Sequence, residues 1–164
     1  MTSTTNEPHT EAPRVAAAPP GYSLSTDATR IDFDFVHGFL SRESYWAKSI
    51  TKRRLRLAIQ HSLCFSVFFE QRQVAFARVI TDYAVFAYLC DVFVDPSQRG
   101  RGVGKWLMQS IVAHPPLGEL RRWVLGTRDA HGLYEKSGFT PLKNPNIFME
   151  RFDPETYARE DGER

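Results

Sequence analysis

The sequence predicts a mixed α/β fold, one sheet with helices on both faces, and three observations carry that prediction. Three runs rich in Val, Phe and Tyr (Leu63 to Glu70, Gln73 to Asp82, Val85 to Val94) are separated only by short polar breaks, as in an antiparallel meander. Beyond Val94 the pattern alternates: helical over Gly102 to Ala113, extended over Arg122 to Gly126, helical over Asp129 to Lys136. Helical patterns also precede the meander, so both faces of the sheet acquire cover. The chain of 164 residues is about one domain long, and 42% hydrophobic residues with 12 Phe, 6 Tyr and 3 Trp suffice for a core.

Taken in order, residues 1 to 20 contain Pro8, Pro13, Pro19 and Pro20 and no aromatic residue, so they are expected to be a disordered tail. A single domain is expected over 21 to 153. The tail from 154 to 164, ending Glu160-Asp161-Gly162-Glu163-Arg164, is expected to fray. Within the domain, Tyr22 to Thr26 reads as a short strand, and Ile31 to Leu40 as a helix with Phe35, Phe39 and Leu40 at helical spacing. Ser41 to Lys48 reads as a loop carrying Tyr45 and Trp46. Thr51 is placed to cap a helix reaching Gln60, with Leu55 and Ile59 inward and Lys52, Arg53, Arg54 and Arg56 toward water. Pro115-Pro116 stops the later helix, and Phe139 with Ile147 to Phe152 supplies final strands.

Charge and cysteine usage exclude several function classes. Lys plus Arg (21) against Asp plus Glu (19) leaves +2, so no overall field draws the chain to polyanions. No apolar run approaches the ~18 residues a bilayer span requires, and no secretory signal pattern opens the chain. A cytoplasmic protein without a membrane partner is expected. Cys64 and Cys90 sit in apolar runs without metal-ligand spacing and are expected as buried thiols; His37, His61 and His114 stand apart, so no metal is expected. The basic stretch from Lys48 to Arg56 is either a solvated helix face or a nucleic-acid contact.

The sharpest local signal is Val94-Asp95-Pro96-Ser97-Gln98-Arg99-Gly100-Arg101-Gly102-Val103-Gly104-Lys105: a strand, a turn, three alternating glycines, then a helix. Glycines let backbone N–H groups approach one point, and a helix N-terminus adds about half a positive charge, a combination suited to pyrophosphate. Arg99, Arg101 and Lys105 add cations. A Walker A loop or a dinucleotide-binding fingerprint would require residues that are absent. A glycine turn alone is also compatible with a purely structural loop.

A second motif follows the strand Trp123-Val124-Leu125-Gly126: Thr127-Arg128-Asp129-Ala130-His131-Gly132-Leu133-Tyr134-Glu135-Lys136-Ser137-Gly138-Phe139. Together the two motifs resemble the GNAT superfamily of acetyl-CoA-dependent N-acetyltransferases over about residues 22 to 152. The family's acyl-CoA loop, Q/R-x-x-G-x-G/A, is matched by Arg99, Gly102 and Gly104. Its late helix, N-x-x-A-x-x-x-Y-E-K-x-G-F, is matched by Ala130, Tyr134, Glu135, Lys136, Gly138 and Phe139, with Thr127 where asparagine is usual. The resemblance implies a meander leading into a parallel strand pair that splays at its centre. It implies that acetyl-CoA meets the backbone of Val92, Phe93 and Val94, that its pyrophosphate meets Arg99, Gly100, Arg101, Gly102, Val103, Gly104 and Lys105, and that Thr127 and Lys136 lie along it. It also makes a homodimer compatible with the chain.

By the same resemblance, Tyr134 is the general acid that protonates the departing thiolate, against the alternative of an aromatic packed on a helix face. The fourth strand lacks the glutamate common in relatives. Asp91 is its only carboxylate, assigned to the cationic acceptor or to water-relayed proton removal, or else to a structural bond with backbone N–H groups. Tyr45, Trp46, Asp82, Tyr83 and Asp91 are expected to line an aromatic and acidic acceptor pocket; core packing is the other reading of Trp46. The expected function is transfer of acetyl from acetyl-CoA to a primary amine of a small molecule, in a ternary complex without a covalent enzyme intermediate. The rival is a non-enzymatic acyl-CoA sensor or nucleic-acid-binding module using Lys48 to Arg56.

Overall fold

The computed structural model of the chain describes residues 17–161, so most of the expected N-terminal tail and the last three residues lie outside the described residues. Strand β1 (Tyr22–Ser25) leads to helices α1 (Phe33–Arg42) and α2 (Lys52–Gln60), then to β2 (Leu63–Phe69), β3 (Arg72–Thr81) and β4 (Phe86–Val94). Helix α3 (Val103–Val112), strand β5 (Arg122–Leu125) and helices α4 (His131–Glu135) and α5 (Thr156–Asp161) complete the order. The sheet runs β1-β2-β3-β4-β5, antiparallel through β4 and parallel between β4 and β5. This is the meander and parallel pair that the sequence predicts.

The helix starts follow their side-chain caps. Asp32 Oδ1 accepts from the Phe35 N–H at 3.0 Å to open α1, and Thr51 Oγ1 accepts from the Arg54 N–H at 3.2 Å to open α2. Val36, Phe39 and Leu40 of α1 and Leu55 of α2 then pack with Cys64, Phe76 and Phe93, Phe39 stacking on Phe93 at 3.9 Å. On the other face Val103, Trp106, Leu107, Met108 and Ile111 of α3 cover Phe65, Val67, Ala77, Val79, Ala87 and Leu89. Two apolar cores on opposite faces hold the sheet between them.

Two irregularities of β4 shape the site. Arg78 pairs with Cys90 and Phe76 with Phe93, so Asp91 and Val92 together oppose Ala77, and Asp91 has φ +54°. Such a bulge inverts the side-chain phase of the strand. Ala87 and Leu89 therefore face α3, whereas Phe93, an even number of residues further on, faces α1. The second irregularity is the splay: β4–β5 pairing runs from Phe86↔Arg122 to Leu89↔Leu125 and stops, while β4 continues to Val94.

The C-terminal part departs from expectation. The helix expected over Asp129 to Lys136 is only His131–Glu135, because Thr127 Oγ1 holds the Ala130 N–H at 3.1 Å in a turn and Gly138, at φ +87°, leads the chain out. The strands expected at Phe139 and Ile147 to Phe152 do not form. Pro145 opens a single 3-10 turn to Ile147, and the Phe139 ring packs edge-on against Trp123 and Tyr134 instead of joining the sheet. Phe148 lies under the Arg122 guanidinium, 5.5 Å away. The stretch expected to fray from 154 carries α5, anchored where Tyr157 packs against the α1–α2 core. Among the described residues, no helix is long and apolar enough to cross a membrane.

Candidate active site

The loop after β4 is built to leave backbone donors free. Asp95 Oδ1 accepts from the Ser97 N–H at 2.9 Å and its Oδ2 meets Arg72 Nη1 at 2.8 Å, which fixes the turn. Gln98 is buried and accepts from the Tyr22 hydroxyl at 2.5 Å, tying the loop to β1. Gly100 (φ +76°) and Gly102 (φ +80°) both adopt the left-handed conformation, and a Cβ at either would meet nothing within 4 Å. Gly102 caps α3 without any side-chain bond, so the first-turn N–H groups of Val103, Gly104 and Lys105 point into that space. Arg99 Nε donates to the Val94 carbonyl at 3.1 Å, while Arg101 and Lys105 are exposed. The loop residues expected around a pyrophosphate are thus assembled at the end of the strand whose Val92 to Val94 edge lacks a β5 neighbour.

On the other side of that edge, side chains from four segments interlock. Tyr45 and Trp46 follow α1 and meet edge-to-face at 4.9 Å. The Tyr45 hydroxyl accepts from the Arg128 N–H at 2.8 Å, and the Arg128 guanidinium lies 3.9 Å over its ring. Trp46 Nε1 donates to Asp91 Oδ1 at 3.1 Å; Arg78 Nε donates to Asp91 Oδ2 at 2.7 Å and its Nη1 to Ser62 Oγ at 3.0 Å. Asp91 is therefore neither unattached nor bonded to nearby backbone N–H groups. Burial opposes the Arg78 charge, but Asp91 and the neighbouring thiols outweigh it and raise the guanidinium above its usual value. Burial pushes the Cys64 and Cys90 thiols up to about 12, so neither is a thiolate at neutral pH.

Tyr134 stands half-buried on α4. Burial first, then the charges of Tyr45, Asp129 and Cys90, push its hydroxyl up to about 12, which keeps the proton in place as a donor requires. Thr127 Oγ1 accepts from the Ala130 N–H and so retains its own proton for donation. Lys136 is exposed at the end of α4.

Asp82 and Tyr83 are not brought to this cluster. They belong to the β3–β4 turn, beyond the Phe86 end of β4, which itself lies five positions, or roughly 16 Å of extended chain, from Asp91. Asp82 Oδ1 accepts from the N–H groups of Ala84, Val85 and Phe86, which holds its carboxyl below the usual range. It shapes the turn. The basic helix is likewise engaged within the molecule: Lys52 bridges Asp34 at 3.0 Å and Arg56 covers the Phe33 ring. A cavity of about 240 Å³ between β5 and α4 includes Thr127 and Tyr134, but neither Val92 to Val94 nor the glycine loop lines it. Gln98, Ser62, Arg128 and Arg78 were not anticipated from sequence. Only Arg78 leaves a signal there, a lone charge inside the apolar run from Val74 to Ile80, since a buried Arg must find a partner.

Comparison with known proteins matches this architecture. Residues 60–141, half of the chain, match the model of the acetyltransferase (GNAT) domain. A Gibberella zeae protein described as an acetyltransferase is 30% identical over 136 residues, covering 71% of this chain and 77% of its own. Serotonin N-acetyltransferase 2, chloroplastic, of Oryza sativa subsp. japonica is 31% identical over 100 residues, covering 57% of this chain and 48% of its own. A crystal structure from Xanthomonas campestris pv. campestris, described as a GNAT-family acetyltransferase, shares 52% identity with a TM-score of 0.82, over 86% of this chain and 99% of the other. The chain belongs to the GNAT acetyltransferase family. It is an acyltransferase.

Proposed function

We propose that the chain, as one domain from residue 21 to at least Tyr157, transfers acetyl from acetyl-CoA to a primary amine of a small molecule by direct attack in a ternary complex. The observation that carries the reading is the pairing of an open β4 edge with an uncapped, glycine-lined helix start at its end. The pyrophosphate of acetyl-CoA lies against the amides from Arg99 to Lys105, where the helix start favours an anion. Its pantetheine arm runs along Val92, Phe93 and Val94 as an added strand would, with Thr127 and Lys136 alongside. A backbone N–H at Val92 or Phe93 polarises the thioester carbonyl.

The amine enters beside Tyr45 and Trp46 as the free base, having released its ammonium proton to water. Its nitrogen bonds to the carbonyl carbon, the carbon–sulfur bond breaks, and the Tyr134 hydroxyl donates to the sulfur as it leaves. The nitrogen's second proton passes to solvent, which restores the phenol. Asp91 acts as a positioning residue: both of its oxygens are engaged, one by Arg78 and one by Trp46. The name of the rice relative, a serotonin acetyltransferase, supports an amine acceptor over a hydroxyl. The test is release of free thiol from acetyl-CoA across a panel of primary amines, with product mass measured in parallel. Amine-dependent release with a mass gain of one acetyl group is expected. Release at the hydrolytic background with every amine would overturn the reading.

A further inference from the structure

The opening between β4 and β5 is bridged by side chains. Strand pairing ends at Leu89↔Leu125, so among the described residues the sheet ladder does not tie the chain from Gly126 onward to β4. Tyr45 and Trp46 span that opening. Trp46 Nε1 donates to Asp91 Oδ1 on the β4 bulge at 3.1 Å, and the Tyr45 hydroxyl accepts from the Arg128 N–H, just beyond β5, at 2.8 Å. Between these bonds the two rings meet edge-to-face at 4.9 Å. The dipeptide is thus bonded to both arms of the splay at once.

Its root and both of its ends are anchored. Ser44 and Ala47, which flank the two aromatics, are buried, and the Ser44 hydroxyl donates to the Leu40 carbonyl at 2.6 Å while accepting from the Ala47 N–H at 3.1 Å. Tyr45 and Trp46 therefore project from a turn fixed to α1. On the β4 side Asp91 is held by Arg78, and Arg78 by Ser62, whose own hydroxyl donates to the Ala58 carbonyl of α2. On the far side the Arg128 guanidinium lies over the Tyr45 ring, and the adjoining Thr127 Oγ1 holds the Ala130 N–H that leads into α4. Helix α4 has five residues, too few to be stable by itself, so whatever fixes residues 127 to 130 also aims Tyr134. Burial first, then Tyr45, raises the Tyr134 hydroxyl, which is consistent with two phenols in one neighbourhood.

We infer that Tyr45 is a positioning residue for the transfer: with Trp46 it forms a strut across the splay that holds the start of α4 against β4 and so aims the Tyr134 hydroxyl at the departing sulfur. The inference rests on the acetyl-transfer reading above and adds a residue to its machinery. Tyr45 itself moves no proton. Its effect is on aim, and displacing a proton donor by about 1 Å is enough to slow a reaction by up to about a hundredfold.

The test uses Tyr45→Phe, which keeps the ring between Arg128 and Trp46 and removes only the oxygen that accepts from the Arg128 N–H. In the free protein, hydrogen exchange followed by NMR should show the Arg128 amide exchanging about threefold to tenfold faster, with the melting temperature nearly unchanged. Turnover is read as thiol release from acetyl-CoA with the fastest of n-butylamine, 2-phenylethylamine and putrescine, at saturating amine. The kcat of Tyr45→Phe should fall about tenfold while CoA affinity by calorimetry is unchanged. Because Tyr45 acts through Tyr134, the same substitution made in Tyr134→Phe should change kcat by less than about twofold. Trp46→Phe, which releases the Asp91 end of the strut, should show the same dependence on Tyr134. Losses that multiply in the double variant, a loss confined to the KM of the amine, or unchanged exchange at Arg128 each overturn the inference while acetyl transfer stands. No thiol release with any of the three amines overturns both.

Discussion

The glycine loop before α3 and the side-chain cluster around Asp91 flank one strand and are built on opposite principles. The loop presents backbone: Gly100 and Gly102 have only open space around them, and the first N–H groups of α3 carry no side-chain cap. The cluster presents side chains already bonded to one another, with Asp91 accepting from Trp46 and Arg78, and Arg78 also reaching Ser62. A site made of backbone suits a ligand group that never varies, such as a pyrophosphate. A site made of interlocked side chains can be rebuilt for a new ligand, but it loses much when one member is removed.

The contrast is broken most severely at Arg78. Arg78→Ala leaves the Asp91 carboxylate buried without its cation and should lower unfolding stability by about 3–5 kcal/mol in denaturant titrations. Removing both charges, as in Arg78→Met with Asp91→Asn, which tolerates φ +54° and still accepts from Trp46, should recover most of that loss. A double variant as unstable as the single one would show that the ion pair is not the source. Tyr134→Phe removes a proton donor and should slow turnover roughly tenfold to a thousandfold while leaving CoA affinity unchanged. Because burial and nearby charges raise the Tyr134 hydroxyl to about 12, the wild-type rate should show no loss from phenolate formation below about pH 11.

On the loop side, Gly102→Asp places a carboxylate among the free amides at φ +80°, and should weaken CoA binding on the order of a hundredfold by calorimetry. Gly102→Asn tolerates the same conformation without the charge and should lose far less, which separates strain from repulsion. The smallest effect is expected at Cys90. Cys90→Ala should leave turnover within about twofold, since the thiol takes no part in the transfer. The thiols do matter to pH dependence. With Cys64 and Cys90 at about 12 in the fold against 9.0 ordinarily, the native state holds protons that the unfolded chain releases. Stability should therefore fall as pH rises from about 9 toward 12, read by thermal melts.

The difference between the two regions also explains what the sequence revealed. Three glycines between a strand and a helix, with Tyr134 about 35 residues beyond Arg99, form a pattern confined to short stretches, so the loop and the late helix were legible directly. The meander was equally legible from apolar runs and polar breaks. The acceptor wall was legible only as residue types. Tyr45 and Trp46 could be singled out, but Arg128, which bonds the first, and Asp91, which bonds the second, come from positions 83 and 45 residues away. Asp82 and Asp91 look equivalent in sequence, yet local N–H groups claim the first and a buried guanidinium the second. At Ile147 to Phe152 the alternation of a strand is present without the pairing; Pro145 and the contact of Phe148 with Arg122 decide that segment instead.

The bulge at Asp91 divides β4 into two cassettes of opposite phase. Residues up to Cys90 set which side chains meet the acceptor face, and residues from Val92 onward set the backbone edge and the stacking of Phe93 on Phe39. Recombination with a relative at this point would exchange one cassette without turning the other over. Losing the single extra residue would be a different event: the strand would become continuous, with Val92 alone opposite Ala77 and Phe93 still opposite Phe76, so the stack on Phe39 would survive while the carboxylate that meets Arg78 and Trp46 was lost. For a lineage that diversifies its acceptors, Asp91 is thus the splice point of the strand.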